Sequence, residues 1–423
     1  MNPLLNPAYS LDDEIISILP EVVDLYKDLH ANPELSLQEY KTAARMASFL
    51  ETYGFEVTTA VGQTGVVGIL RNGNGPVVML RADMDALPVK EESGLPYASQ
   101  VISTDRQGKQ VPVMHACGHD IHMTCVAGAA KLLSKNRSAW QGTLMIVFQP
   151  AEETSEGAIG MVRDGLYERF PLPDVILGQH VINTPVGTVT WSKGAATSTG
   201  DSLRIRLIGR GSHGAMPENS IDPVVMAAAV VLRLQTIVSR EVPANEAAIV
   251  TIGSLQAGTM ENIIPDEAII KVNVRTYDEK IRQRVLCAIE RIVQAEAMAS
   301  GAETPPEITT INHFSLVANE VNATQRLVEA LKSHFPVGSV QEAKPTKMSD
   351  DIGEFNLGST IPSVYWFIGS TDPEVHAEYV AKNRLADLPT NHNPKFTPLP
   401  DPTIANGIKA MAVGALEWLE KSK

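Results

Sequence analysis

Cysteine is scarce in this chain of 423 residues, which holds only Cys117, Cys125 and Cys287. Three scattered thiols exclude a disulfide framework and suit a reducing compartment, so a cytoplasmic location is expected. Positive charge is short as well: Lys plus Arg is 35 against 49 Asp plus Glu, a formal charge of −14. An acidic chain without basic blocks is a poor binder of nucleic acid or anionic membrane, and neither is expected as a partner. No run approaches the roughly 18 apolar residues that a membrane span needs. Met1-Asn2-Pro3-Leu4-Leu5 has neither a basic start nor a long apolar stretch, so no signal peptide is expected. What is present is a globular composition, 44% hydrophobic and 20% charged, on a length that suits two domains.

Apolar spacing predicts helices over Leu11 to His30, Gln38 to Tyr53, Asp120 to Leu133 and Asn322 to Phe335. Val66 to Leu70, Pro76 to Leu80, Thr143 to Phe148, Asp174 to Gly178 and Pro362 to Ile368 read as strands, the third apolar throughout as in a strand buried on both faces. Helices alternating with buried strands predict an α/β layer with a mostly parallel sheet. The middle of the chain differs. Strands at Ser202 to Ile208, Ala247 to Leu255, Ala268 to Arg275 and Glu307 to Ile311 are interleaved with helices at Pro223 to Val238 and Glu279 to Ala299. That β-α-β-β-α-β order predicts a ferredoxin-like unit at about residues 191–314. It would be inserted into a first domain made of 1–190 and 315–423.

Met114-His115-Ala116-Cys117-Gly118-His119-Asp120-Ile121-His122 carries the strongest local signal. In an extended segment Cys117 and His119 point to one side, and thiolate with imidazole binds zinc and similar ions. The plainer reading is a buried cysteine beside helix-capping residues. Gln149-Pro150-Ala151-Glu152-Glu153 directly follows an apolar strand. Adjacent carboxylates point apart, so one can bind metal while the other moves a proton; a lone Glu-Glu pair is otherwise a solvated loop. Ligands of open α/β sheets bind beyond the carboxyl ends of the strands. That rule gathers Asp83, Asp85, Cys117, His119, Glu152, Glu153, His180 and His392 at one sheet edge, a set suited to two metal ions. Gly211-Ser212-His213-Gly214 is flexible, and an imidazole there can donate to a developing oxyanion. It lacks the strand-Gly-x-Gly-x-x-Gly-helix form of dinucleotide binding.

Leu29-His30-Ala31-Asn32-Pro33-Glu34, Arg81-Ala82-Asp83-Met84-Asp85-Ala86-Leu87-Pro88, the Cys117-Gly118-His119-Asp120 run, Phe148-Gln149-Pro150-Ala151-Glu152-Glu153 and Gly211 to Pro217 together resemble one family. It is the metallopeptidase-like amidohydrolases, which include hippurate hydrolase, N-acyl-amino-acid amidohydrolases and the plant indole-acetyl-amino-acid hydrolases. The resemblance runs in order over nearly the whole chain. It implies a catalytic α/β domain with an inserted ferredoxin-like lid and dimerisation domain, as a homodimer or a dimer of dimers. It assigns metal ligation to Cys117, His119, Glu153, His180 and His392, general acid/base work to Glu152, and an oxyanion contact to His213. Asn262 and Arg275 become substrate or interface contacts. The implied cofactor is a pair of divalent ions, zinc, manganese, nickel or cobalt. The chain departs from the pattern at Glu218, at Asn273-Val274 and in Met348-Ser349-Asp350-Asp351, all on the substrate side. The expected reaction is amide hydrolysis of an N-acyl amino acid or small amide conjugate. The rivals are an aminopeptidase or carboxypeptidase on short peptides and a non-catalytic small-ligand binder.

Overall fold

Ser10 opens the first helix, Leu11–Ala31, with a reciprocal capping box to Asp13, and Asp12, Asp13 and Glu14 favour the positive end of that helix. In the computed structural model, which describes residues 10–358 and 360–419, this helix is the first element. The sequence reading of Met1 to Leu5 lies outside the described residues. The chain divides into two compact units: Met1–Ala196 with Ala318–Lys344 and Asp351–Lys423, and Thr197–Val317 with Pro345–Asp350.

The first unit is built on an eight-stranded sheet. Its order is Glu56–Val61, Gly65–Asn72, Gly142–Gln149, Val77–Asp83, Val175–Pro185, Ser363–Thr371, Val189–Trp191, Val340–Glu342. The four adjacent strands from Gly142–Gln149 to Ser363–Thr371 run parallel. They are buried on both faces, which explains their unbroken apolar runs. The helices Leu11–Ala31, His119–Lys135 and Pro400–Leu419 share one apolar core with this sheet. Asp83 pairs in register with Gln149, and Arg81 with Gly178. So Asp83 and Gln149, at the carboxyl ends of two parallel strands, form one row with His180 inside a third.

The second unit is an antiparallel sheet in the order Ala248–Ala257, Glu267–Thr276, Gly200–Ile208, Glu307–Phe314. The first and third strands in sequence lie in the middle, the arrangement of a ferredoxin-like unit. Leu203, Ile205 and Leu207 alternate inward with Ala268, Ile270, Val272 and Val274 against the helices Pro223–Arg240 and Glu279–Ala299. Asp222 and Asp278 cap those helices. Neither Gly200–Ile208 nor Glu267–Thr276 belongs to the sheet of Gly142–Gln149.

Three sequence expectations need correction. His180 lies inside the strand Val175–Pro185, not after it, because that strand continues along Ser363–Thr371 past the end of its other neighbour. Pro345–Asp350 clusters with the second unit, where Arg275 and Ser198 bind its backbone. The helix Pro223–Arg240 is long and apolar enough to cross a membrane by length and composition, contrary to the reading that no segment is. Its apolarity has a local cause: Met226, Ala227, Val230, Leu234 and Ile237 fill the core of the second unit.

Candidate metal centre

The loop after Gly142–Gln149 is shaped by two buried carboxylates. Asp85 accepts from the backbone N–H of both Glu152 and Glu153, each at 3.1 Å, and from Ser36 Oγ at 2.6 Å. Glu39 accepts from Ala151 N at 2.9 Å and from Thr64 Oγ1 at 2.6 Å, and burial beside Asp85 pushes its carboxyl up to about 7. Ala151 is held at φ +48°, a left-handed conformation that is costly without a glycine. The bonds to Asp85 and Glu39 maintain it, and the turn presents two successive side chains.

His119 opens the helix His119–Lys135. Its Nδ1 donates to the Asp85 carbonyl at 2.8 Å, so its Nε2 is left as the free lone pair. That atom lies 3.8 Å from Glu152 Oε2 and 3.9 Å from Glu153 Oε1. His180 is set the same way: Nδ1 donates to the Val181 carbonyl at 2.7 Å, and Nε2 faces Cys117 Sγ at 3.5 Å. His392 Nε2 lies 3.3 Å from Cys117 Sγ and 3.4 Å from Glu153 Oε1. It too is left-handed, at φ +71°, pinned by its N–H to the Ala116 carbonyl. Cys117, His119 and His180 therefore form one compact donor group, and Cys117, Glu153 and His392 a second.

The donors fit a cation. Among the described residues, His119 Nε2 and Glu153 Oε1 are buried and have no hydrogen-bond partner, a costly state unless a cation takes their lone pairs. Burial together with Glu153 and Glu152 drives the Cys117 thiol well above its ordinary pKa. Burial pulls the His119 imidazole down, but Asp83, Asp85 and Glu153 outweigh it and raise it to about 10. In other words, the carboxylates around the donors recruit positive charge. Soft thiolate, imidazole and carboxylate in one cluster suit zinc and its first-row neighbours.

All five expected ligands and Glu152 thus come together in the first unit, with Asp83 and Asp85 around them. His213, Asn262 and Arg275 lie in the second unit. His213 is exposed on the short strand Ser212–His213, and its Nδ1 accepts from Ala215 N at 3.0 Å, which leaves the proton on Nε2. Asn262 is next to it in space, its carbonyl taking the Gly214 N–H at 2.8 Å. Arg275 is at the other end of the sheet, since Ile208 pairs with Glu267 while Asp201 pairs with Val274. Its guanidinium binds the Lys347 carbonyl at 2.8 Å, Ser349 Oγ at 3.0 Å and Asn273 Oδ1 at 3.1 Å. The sequence reading gave no role to Arg81, His122 or His115. Arg81 and His122 are buried and hydrogen-bonded beside the donors. His115 is buried, with both ring nitrogens unpartnered among the described residues, and burial pushes it down to about 4.

Residues 79–417 match the family described as peptidase family M20/M25/M40. The chain is 38% identical over 352 residues to hippurate hydrolase of Campylobacter jejuni, covering 80% of this chain and 88% of that one. It is 30% identical over 416 residues to thermostable carboxypeptidase 2 of Saccharolobus solfataricus, covering 97% and 98%. Among solved structures it resembles a Bacillus subtilis protein described as a dinuclear metal binding peptidase from the M20 family. There the TM-score is 0.74 and the identity 27%, over 95% of this chain and 98% of that one.

Proposed function

This chain belongs to peptidase family M20/M25/M40 and is a metal-dependent amidohydrolase; from that premise we propose that it hydrolyses N-acyl amino acids at a centre of two divalent ions. The observation that carries the reading is the pair of donor groups sharing Cys117, with Glu152 beside them. Cys117, His119, Glu153, His180 and His392 would hold the ions. When bound, such ions supply the Lewis acidity that makes water a nucleophile at neutral pH. Glu152, adjacent but outside the assigned ligand set, takes the proton from the attacking water and returns it to the leaving amine nitrogen. His213, with its proton on Nε2, donates to the oxygen that gains charge as the amide carbonyl becomes tetrahedral. Asn262 and Arg275 serve the substrate or an interface.

The cytoplasmic location and the homodimer belong to the same reading. Support for the dimer is the outward side of Pro223–Arg240, where Val225 is 64% and Leu232 72% exposed, next to an edge strand, Ala248–Ala257. A carboxypeptidase on short peptides is the second reading, favoured by the full-length likeness to the Saccharolobus enzyme. The test is metal-stripped protein, checked by elemental analysis and reloaded with zinc, manganese, nickel or cobalt, against N-acyl amino acids and matching dipeptides. Hydrolysis that vanishes on stripping and returns with one ion is expected, with N-acyl substrates turned over faster. Dipeptides turned over faster would select the second reading. Full activity without metal would refute both.

A further inference from the structure

His119 and His122 stand three residues apart in the first turn of one helix, and their rings lie 5.4 Å apart between centroids. Only one of them has a lone pair to offer. His122 Nε2 accepts the Val181 N–H at 2.9 Å, so its proton must sit on Nδ1, 2.6 Å from Asp83 Oδ1. Both ring nitrogens are committed, which removes His122 from the possible ligands despite its place beside Asp83 and His119.

The partner of His122 is a hub. The Val181 carbonyl accepts from His180 Nδ1 at 2.7 Å and from Asn391 Nδ2 at 3.1 Å. Asn391 also donates to the Cys117 carbonyl at 2.9 Å. One residue therefore aims the His180 ring and anchors the loop that carries His392. Behind His122 the chain of contacts continues. Arg81 Nη1 donates to Asp83 Oδ2 at 2.8 Å, Arg81 Nε to Gln149 Oε1 at 2.8 Å, and Arg81 Nη2 to Asp351 Oδ1 at 3.2 Å. Gln149 Nε2 closes the ring by donating to Asp351 Oδ1 at 2.6 Å. Arg81, Asp83, His122 and Asp351 are all essentially without solvent contact. Buried polar chains of this kind hold only when every member is satisfied.

We propose that the buried relay Arg81–Asp83–His122 aims His180 and fixes the His392 loop through Val181, which makes His122 a positioning residue of the metal centre and not a ligand. The inference rests on the metal-centre reading above. Partners one step behind metal ligands typically change metal affinity 10- to 100-fold when lost.

The probe is Zn2+ binding by the metal-free protein, read by competition with a chromophoric chelator. The visible absorption of the Co2+-loaded protein, which senses ligand geometry at Cys117, is recorded beside it. His122→Leu should lower zinc affinity by about 10- to 100-fold and alter the cobalt spectrum, with the metal-free thermal midpoint measured alongside. His122→Gln offers an acceptor and a donor again and should recover most of the affinity. Parent-like zinc affinity and cobalt spectrum in His122→Leu would overturn the relay, as would a glutamine variant no better than leucine. If the leucine chain does not fold, Asn391→Ala decides: it removes the second bond to the Val181 carbonyl, and parent-like zinc binding there overturns the relay. Cys117→Ser runs in parallel. Should it bind zinc like the parent, the metal-centre reading fails by itself, whatever the His122 variants do.

Discussion

Arg81 and Arg206 each sit between two carboxylates. Arg81 meets Asp83 and Asp351 in the first unit, and Arg206 meets Glu267 and Glu307 in the second. The Arg81 side chain is 1% exposed and that of Arg206 is 36%. The ionic chemistry is the same, but the surroundings give it opposite meaning. Water screens Arg206 and competes for its partners, so its pairs count for little. Around Arg81 no water competes, and removing one member leaves the others charged and stranded. The comparison extends to the candidate catalytic groups. Glu152 is buried in a loop held by Asp85 and Glu39, whereas His213 is exposed on a two-residue strand.

The largest effect expected from breaking this contrast is on turnover. Glu152→Gln keeps shape but cannot carry a proton, so kcat should fall by on the order of 10²–10⁴ while metal content stays at the parent level. Glu153→Gln should instead lose metal and regain activity as metal is raised. His213→Ala should lower kcat by roughly 10²–10³, the usual loss for one oxyanion donor. Its urea midpoint should not move, because the side chain is exposed. Steady-state kinetics beside elemental analysis checks all three.

Next comes stability. Arg81→Met should cost about 3–5 kcal/mol in urea unfolding, since it strands buried Asp83 and Asp351. Arg206→Met should leave the midpoint unchanged. Equal shifts in the two variants would erase the distinction between the buried and the exposed arginine.

A smaller effect depends on pH. His30 is buried between Asp120, at 2.6 Å, and Glu91, at 3.0 Å. Burial opposes its charge, but the bonds to Asp120 and Glu91 prevail and raise it from 6.5 to about 10. A group whose pKa is raised on folding stabilises fully below its unfolded value and loses that contribution as pH climbs through the folded one. The Tm of metal-free protein should therefore decline between pH 6.5 and 10, and His30→Gln should flatten that decline. The smallest effect concerns the second unit, where Asp278→Ala removes the cap of Glu279–Ala299. It should cost about 1 kcal/mol, read by thermal unfolding.

Much of this was legible in the sequence because strand ends and ligand runs coincide. Apolar strands such as Thr143 to Phe148 announce themselves, and the polar residues that follow them fall at one sheet edge by topology alone. The mostly parallel sheet follows from that, and the family from the resemblance carried by the Cys117-Gly118-His119-Asp120 and Pro150-Ala151-Glu152-Glu153 runs. Other elements left no such trace. The helix Pro373–Ala381 buries no residue, so it has no apolar stripe to find. Pro345–Asp350 joins the second unit through the Lys347 and Met348 carbonyls, which carry no residue identity, and through the single side chain of Ser349. The partners of His122 are also hidden, because one of them is a main-chain N–H. Arg81 stands in the run Arg81-Ala82-Asp83-Met84-Asp85, yet nothing in its sequence neighbours shows that it is buried in a ring with Gln149 and Asp351.

The interleaving of the first sheet bears on how the protein is made. The strand Ser363–Thr371 lies between Val175–Pro185 and Val189–Trp191, two strands synthesised long before it. A ribosome delivering the chain from its N-terminus cannot let that sheet close until residue 371 has emerged. His392 follows later still. Cys117, His119, Glu153 and His180 are synthesised before the whole of Thr197–Val317, and His392 only after it. The donor cluster of Cys117, His119, Glu153, His180 and His392 is thus complete only once residue 392 has emerged, and a chain truncated before it carries only part of that cluster.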